Sequence, residues 1–326
     1  MKDFFIADAG KFDNAIVTSY FALASLQVRE KKQGSGQYLA LVLADKTGTM
    51  EARMWEEFAD AITNCNEGCY VKAQGQISKY QGKFQITIQK MRHAAVSEVE
   101  AADYVPTTKF DVEEMWAELR GYVSAFENED LRRLVFAFLD DAEIGPAFRD
   151  APAAKRLHHA WLGGLLEHVL TLVRVCRGTA PFYPEVEPDL LLTGAILHDI
   201  GKVRELSWKT SFGYTLEGQL IGHISIAQGM LREKIAELPG FPERLRVLVE
   251  HMVLSHHGRY EFGSPKLPMT PEAVLLSALD DLEAKMQAMR NEFAASMAGG
   301  RSAEEMTEWV RSMERPLLNS REYLKA

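Results

Sequence analysis

Residues 188–202 read Pro-Asp-Leu-Leu-Leu-Thr-Gly-Ala-Ile-Leu-His-Asp-Ile-Gly-Lys. An apolar run behind a proline reads as a buried helix, expected over 189–200. It closes on an imidazole beside a carboxylate, His198-Asp199, with Lys202 just beyond. Gly201 is expected to supply the turn at the helix C-terminus. Working outward, His168 sits inside the apolar stretch Gly-Gly-Leu-Leu-Glu-His-Val-Leu (163–170), and His223 in Leu-Ile-Gly-His-Ile-Ser (220–225). His256-His257-Gly258 ends a further helix, and Asp280-Asp281 lies within Ser-Ala-Leu-Asp-Asp-Leu-Glu (277–283). Of nine histidines, eight fall between 158 and 257. A lone histidine on an apolar face is most often a hydrogen-bonded core residue. Burying this whole ordered set in apolar helices is costly without a ligand. Imidazoles with carboxylates and no thiolate suit Mn, Fe, Co or Ni. A carboxylate has two oxygens and can bridge two ions. Donors spread over several helices suit a site inside a bundle.

The rest of the chain has a different texture. Of its 326 residues, 47% are hydrophobic and 25% charged, an ordinary globular composition with room for two domains. Residues 1–95 alternate in the manner of strands, expected over 16–32, 38–44, 50–55, 69–78 and 84–91, with a short helix over 56–62. Five strands with a helix before the fourth suggest an OB-fold β-barrel. Residues 96–110 read as a linker. From 111 to 326 the chain reads as all-α, with helices expected over about 158–177, 218–238, 243–256, 271–290 and 302–313 as well. The expected whole is thus a multidomain α and β protein, a five-stranded barrel (1–95) followed by a helical bundle (111–326).

The net charge of −9 argues against a protein coated in nucleic acid. It hides an asymmetry: residues 1–95 hold 12 Lys+Arg against 10 Asp+Glu, and residues 69–95 hold no acid. A local basic stripe can still bind a polyanion. Three cysteines exclude a disulfide scaffold and fit a reducing compartment. Cys65 and Cys69 lack the second ligand pair of a zinc clip. No apolar run spans a bilayer and the N-terminus has no signal core, so a cytoplasmic protein without membrane contact is expected.

The ordered His, His-Asp-x-Gly-Lys, His, His-His, Asp set resembles the HD-domain metal-dependent phosphohydrolases, with Leu-His-Asp-Ile-Gly-Lys (197–202) its most specific part. An OB-fold before an HD domain resembles the YhaM-type 3′→5′ exoribonucleases. So do the strings Tyr-Leu-Ala-Leu-Val-Leu-Ala-Asp-Lys-Thr-Gly (38–48), His-His-Ala-Trp-Leu-Gly-Gly-Leu (158–165), Tyr-Thr-Leu-Glu-Gly-Gln-Leu-Ile-Gly-His-Ile (214–224) and Leu-Ser-His-His-Gly (254–258). The resemblance implies a metal-dependent 3′→5′ exoribonuclease that hydrolyses single-stranded RNA or DNA with metal-activated water. It implies one or two divalent ions, manganese first, with iron, cobalt or nickel as alternatives. The implied ligands are His168, His198, Asp199, His223, His256, His257 and Asp280, and Asp199, His198 and Lys202 are the implied catalytic set. His158 and His159 are candidate substrate contacts. Relatives of this type make a homo-oligomer an expectation.

On the barrel, Tyr38, Trp55 and Tyr80 are candidate base-stacking platforms, and Arg53, Lys72, Lys79 and Lys83 candidate phosphate contacts. Two other readings stay open from the residues. One is an HD phosphodiesterase for small nucleotides or cyclic dinucleotides, although resemblance to the cyclic-dinucleotide type would imply Gly-Tyr-Pro after the paired histidines, where Gly258-Arg259-Tyr260-Glu261 stands. A catalytically inactive nucleic-acid-binding adaptor would be expected to have lost a ligand.

Overall fold

The computed structural model describes residues 2–325 apart from 32–35, 81, 101–102, 105–106, 155–160, 209–212, 299 and 303. The chain divides into two compact units, Met1–Thr107 with Ser207–Gly213, and Thr108–Leu206 with Tyr214–Ala326.

In the first unit, β1 (Ile16–Glu30), β2 (Gln37–Asp45), β3 (Gly48–Met54), β4 (Tyr70–Tyr80) and β5 (Lys83–Ala94) close into a barrel of order β1-β2-β3-β5-β4, with α1 (Ala59–Asn64) before β4. The β3–β5 pairing is parallel and the others antiparallel, the arrangement of an OB-fold. Alternation sets which side is core: Leu39, Leu41 and Leu43 of β2, Met50, Ala52 and Met54 of β3, and Ile86 and Ile88 of β5 point inward. α1 begins later than the expected 56–62, because Glu57 stands at φ 54 and cannot be helical. The buried Lys2 amine lies 2.9 Å from the buried Asp45 carboxylate and donates to Tyr20 O, which ties the N-terminus to the barrel. Beyond β5, Tyr104 is buried against Tyr70.

The second unit contains α2 (Val112–Ser124), α3 (Glu129–Leu139), α4 (Ile144–Asp150), α5 (Gly164–Thr179), α6 (Pro188–Leu197), α7 (Lys202–Glu205), α8 (Leu216–Ile221), α9 (His223–Ala236), α10 (Glu243–Ser255), α11 (Pro271–Ala298) and α12 (Ser320–Tyr323). Every residue of α6 from Asp189 to Leu197 is buried, so this largely apolar helix is covered on all sides and sits at the centre of its unit. It packs on α3, α5, α10 and α11.

Three expectations need correction. The stretch 218–238 is broken at Gly222 (φ 79), so His223 begins α9 instead of lying within a helix. No α-helix forms over 302–313 among the described residues. Thr307 N donates to Leu317 O and Val310 N to Arg315 O, so these amides bond to the returning chain and not along a helix. Gly201 has helical φ −62 and is no left-handed cap. A Cβ there would meet His223 O at 2.0 Å, so glycine is needed for the close approach of α9.

Candidate metal centre

Helix ends build this site. His198 caps the C-terminus of α6, and Asp199 follows it. His256 caps α10, with His257 next. His223 opens α9, while His168 and Asp280 project from the bodies of α5 and α11. All seven predicted ligands converge. His168, His198 and Asp280 bring one donor atom each within 4.8 Å of one another, and so do His223, His256 and His257.

Asp199 lies between these triads and divides its oxygens. Oδ2 is 3.2 Å from His198 Nε2 and 3.7 Å from His168 Nε2. Oδ1 is 3.5 Å from His223 Nε2 and 3.8 Å from His256 Nε2. Within the first triad His168 Nε2 stands 3.2 Å from Asp280 Oδ1 and 3.4 Å from His198 Nε2. The neighbour Asp281 points outward and pairs with Lys285.

Each imidazole is fixed from behind. His198 and His256 use Nδ1 on the carbonyls of Ala195 (2.9 Å) and Val253 (2.8 Å), three residues back in their own helices. These are carbonyls that a helix C-terminus leaves without an amide partner. His257 Nδ1 meets Phe262 O at 2.7 Å. His168 Nδ1 meets Glu283 Oε2 at 2.7 Å, and His223 Nδ1 meets Glu205 Oε1 at 3.1 Å. With Nδ1–H donating to these oxygens, Nε2 keeps its lone pair for the cluster. Glu205 and Glu283 escaped the sequence reading. The available signal was an acid three residues after Lys202 and another three after Asp280, each one helical turn from a residue of the cluster.

The donor set fits a divalent metal. Asp199 Oδ1, His223 Nε2 and His256 Nε2 are buried without a hydrogen-bond partner. Polar atoms are seldom left so, and these three face one another. Burial pushes the His256 imidazole well below its usual range and lowers that of His257, so both are neutral. Burial opposes the Asp199 charge, but Lys202, His198 and His223 outweigh it and hold the carboxyl well below the usual range. Burial likewise opposes a charge on His168, yet Asp280 and Glu283 raise it to about 10. Without a cation at the centre, a proton on His168 offsets the carboxylates. Lys202 Nζ donates to Asp199 Oδ2 at 2.7 Å with only 12% of its side chain exposed. His251 faces elsewhere and accepts from Met269 N at 2.9 Å. His158 and His159 lie outside the described residues.

On the barrel, Tyr38 and Trp55 stack on each other, with centroids 4.7 Å apart and planes at 28°. They form one two-ring platform. Lys31 Nζ is 5.9 Å from the Trp55 ring, and the Arg53 guanidinium 5.4 Å from the Tyr80 ring. Arg53, Tyr80 and Lys83 line a groove of about 890 Å³ along β3 and β5. Lys79 lies over Phe84. Lys72 is not brought to this face: it sits over Tyr20, on β4 between β1 and β5.

A closed OB barrel and a helical unit that gathers five imidazoles, with His198 of the His-Asp pair among them, define a class. The sequence matches the OB-fold nucleic acid binding domain over residues 26–94 and the HD domain over residues 165–285. Relatives across most of the chain narrow this. A 3′-5′ exoribonuclease YhaM of Geobacillus sp. (strain WCH70) is 40% identical over 76% of each chain. One of Listeria monocytogenes serotype 4b (strain CLIP80459) is 37% identical over 85% of this chain and 88% of its own. One of Halalkalibacterium halodurans is 35% identical over 83% and 84%. The chain belongs to the YhaM family of 3′-5′ exoribonucleases. No helix among the described residues is long and apolar enough to cross a membrane.

Proposed function

We propose that the chain is a metal-dependent 3′→5′ exoribonuclease that shortens single-stranded RNA by hydrolysing its terminal phosphodiester bond. The observation that carries this reading is the Asp199 carboxylate, divided between two triads of donors, with its Oδ1 facing His223 Nε2 and His256 Nε2, three buried polar atoms without a hydrogen-bond partner. His168, His198, Asp280 and one oxygen of Asp199 would hold one divalent ion, and His223, His256, His257 and the other oxygen a second. When bound, such ions lower the pKa of water toward neutrality and offset charge on the phosphate. Imidazole and carboxylate donors without thiolate support manganese, with iron, cobalt and nickel next.

The chain's own residues orient and compensate. Lys202 is held at the cluster by Asp199 and supplies a fixed positive charge for the non-bridging phosphate oxygens. His198, locked by Ala195 O, keeps Nε2 aimed at the centre. On the barrel, the Tyr38–Trp55 platform would stack bases, and Arg53 and Lys83 would meet phosphates. Binding by stacking and charge tolerates any sequence, which fits digestion from an end. The reduced-thiol composition supports a cytoplasmic enzyme. Exposed Leu282 and Met286 on α11 and exposed Trp309 support self-association.

The test is a denaturing-gel time course on 5′-labelled single-stranded RNA with Mn²⁺, with wild type beside Asp199→Ala. A ladder shortening from the 3′ end in wild type and intact RNA with the variant are expected. Intact RNA in both lanes, or an unchanged ladder with the variant, overturns the reading.

A further inference from the structure

The five imidazoles of the cluster are held from behind by two kinds of partner. Three meet main-chain carbonyls, of Ala195, Val253 and Phe262. Two meet side-chain carboxylates: His168 meets Glu283, and His223 meets Glu205. One carboxylate thus stands behind each triad. Glu205 also accepts from the main-chain N–H of His223 at 3.0 Å, so it grips that residue at two points. Both glutamates are buried, at 5% and 8% exposure. A buried carboxylate is expensive unless a positive charge answers it. A neutral carbonyl fixes the ring equally well, as the other three histidines show. Orientation alone therefore does not account for two buried acids.

Charge does account for them. Asp199 and Asp280 enter the cluster, and Glu205 and Glu283 stand directly behind it, giving four formal negative charges. Lys202 adds one positive charge. Two divalent ions add four. With neutral imidazoles, the filled centre retains a single positive charge, which the one negative charge of a phosphodiester cancels. Removing either glutamate's charge leaves an excess positive unit within the site and disfavours the ion in front of it.

We propose that Glu283 and Glu205 are positioning residues that each supply the charge and the ring orientation by which one triad retains its divalent ion. This rests on the metal-dependent reading above. Carboxylates behind metal-binding histidines raise ligand basicity, and their loss typically costs 10–100-fold in metal affinity.

The experiment is equilibrium dialysis of Mn²⁺ against the metal-stripped full-length protein. Wild type should bind two equivalents. Glu283→Gln and Glu205→Gln keep size and an acceptor oxygen, so their losses report charge. Each should weaken one equivalent about 10- to 100-fold and leave the other near wild type. Adding Glu205→Gln to His257→Ala should cost nothing further at the first triad. The metal-stripped variants should melt below wild type, because Glu283 there answers the protonated His168 and Glu205 is held by His223, so the Mn²⁺ constants and not the melting temperatures carry the test. Wild-type Mn²⁺ dissociation constants in both glutamine variants would overturn the proposal, since a lowered metal-free melting temperature with unchanged binding marks a purely structural role. No Mn²⁺ bound by wild type would instead overturn the functional reading itself, and this inference with it.

Discussion

Gly201→Ala separates two explanations of a glycine next to a metal ligand. Its backbone is helical (φ −62, ψ −20), so intrinsic propensity alone would make alanine about 1 kcal/mol more stable there. The space argues the reverse. A Cβ at 201 would lie 2.0 Å from His223 O, 2.8 Å from Ala227 N and 2.9 Å from His223 C. All three are main-chain atoms of α9, which cannot step aside singly. Overpacking against movable side chains costs about 1–3 kcal/mol, and a rigid helix belongs at the upper end or above. About 3 kcal/mol in a unit of this size lowers the melting temperature by about 6–12 °C. The displaced helix carries His223, so Mn²⁺ binding at the second triad should fall too. Gly194→Ala is the control. Its Cβ would meet Met252 Cε at 2.1 Å, the far end of a flexible side chain. Most of that cost should be offset by helix propensity, leaving a shift within about 4 °C. Differential scanning fluorimetry of metal-stripped proteins reads both. A Gly201→Ala protein that melts at or above wild type refutes the reasoning, as does an equal loss in both variants.

Two further outcomes follow from the geometry. Tyr38→Ala and Trp55→Ala should each weaken single-stranded RNA binding by about 1–3 kcal/mol, with hydrolysis of a small chromogenic phosphodiester unchanged. Lys72→Ala, over Tyr20 on another part of the barrel, should leave RNA affinity near wild type; fluorescence anisotropy checks all three. His251 accepts from Met269 N and is therefore neutral when folded, with its pKa lowered by burial and by Lys266. The unfolded chain binds that proton more readily, so stability falls as pH drops through the ordinary histidine range near 6.5. His251→Gln should lack this component, and urea titrations at pH 7.5 and 5.5 should show wild type losing more than the variant.

Much of this protein is legible in one dimension because its signals are local. Strand alternation in 38–44 and 84–91 places Leu39, Leu41, Leu43, Ile86 and Ile88 inside the barrel, since period two leaves no choice of face. The run of 190–197, apolar but for Thr193 and opened by Pro188, reads as a buried helix. The seven candidate ligands are readable because burying so many imidazoles and carboxylates demands a common partner. The break at Gly222 was missed because an isolated glycine is compatible with a helix until its φ is known. The failed helix at 302–313 was missed because its amides bond to residues 315–317, a contact that periodicity does not encode.

By itself the sequence determined the barrel, the bundle, the candidate ligands and the class of chemistry. The tertiary structure decided how those ligands are shared. It divides the Asp199 oxygens between two triads, brings Tyr38 and Trp55 into one platform and leaves Lys72 elsewhere. It also sets Glu205 and Glu283 behind His223 and His168, across 18 and 115 residues of chain. A pattern of residue types reports which groups must be buried. Only packing fixes which atom of each group faces which neighbour.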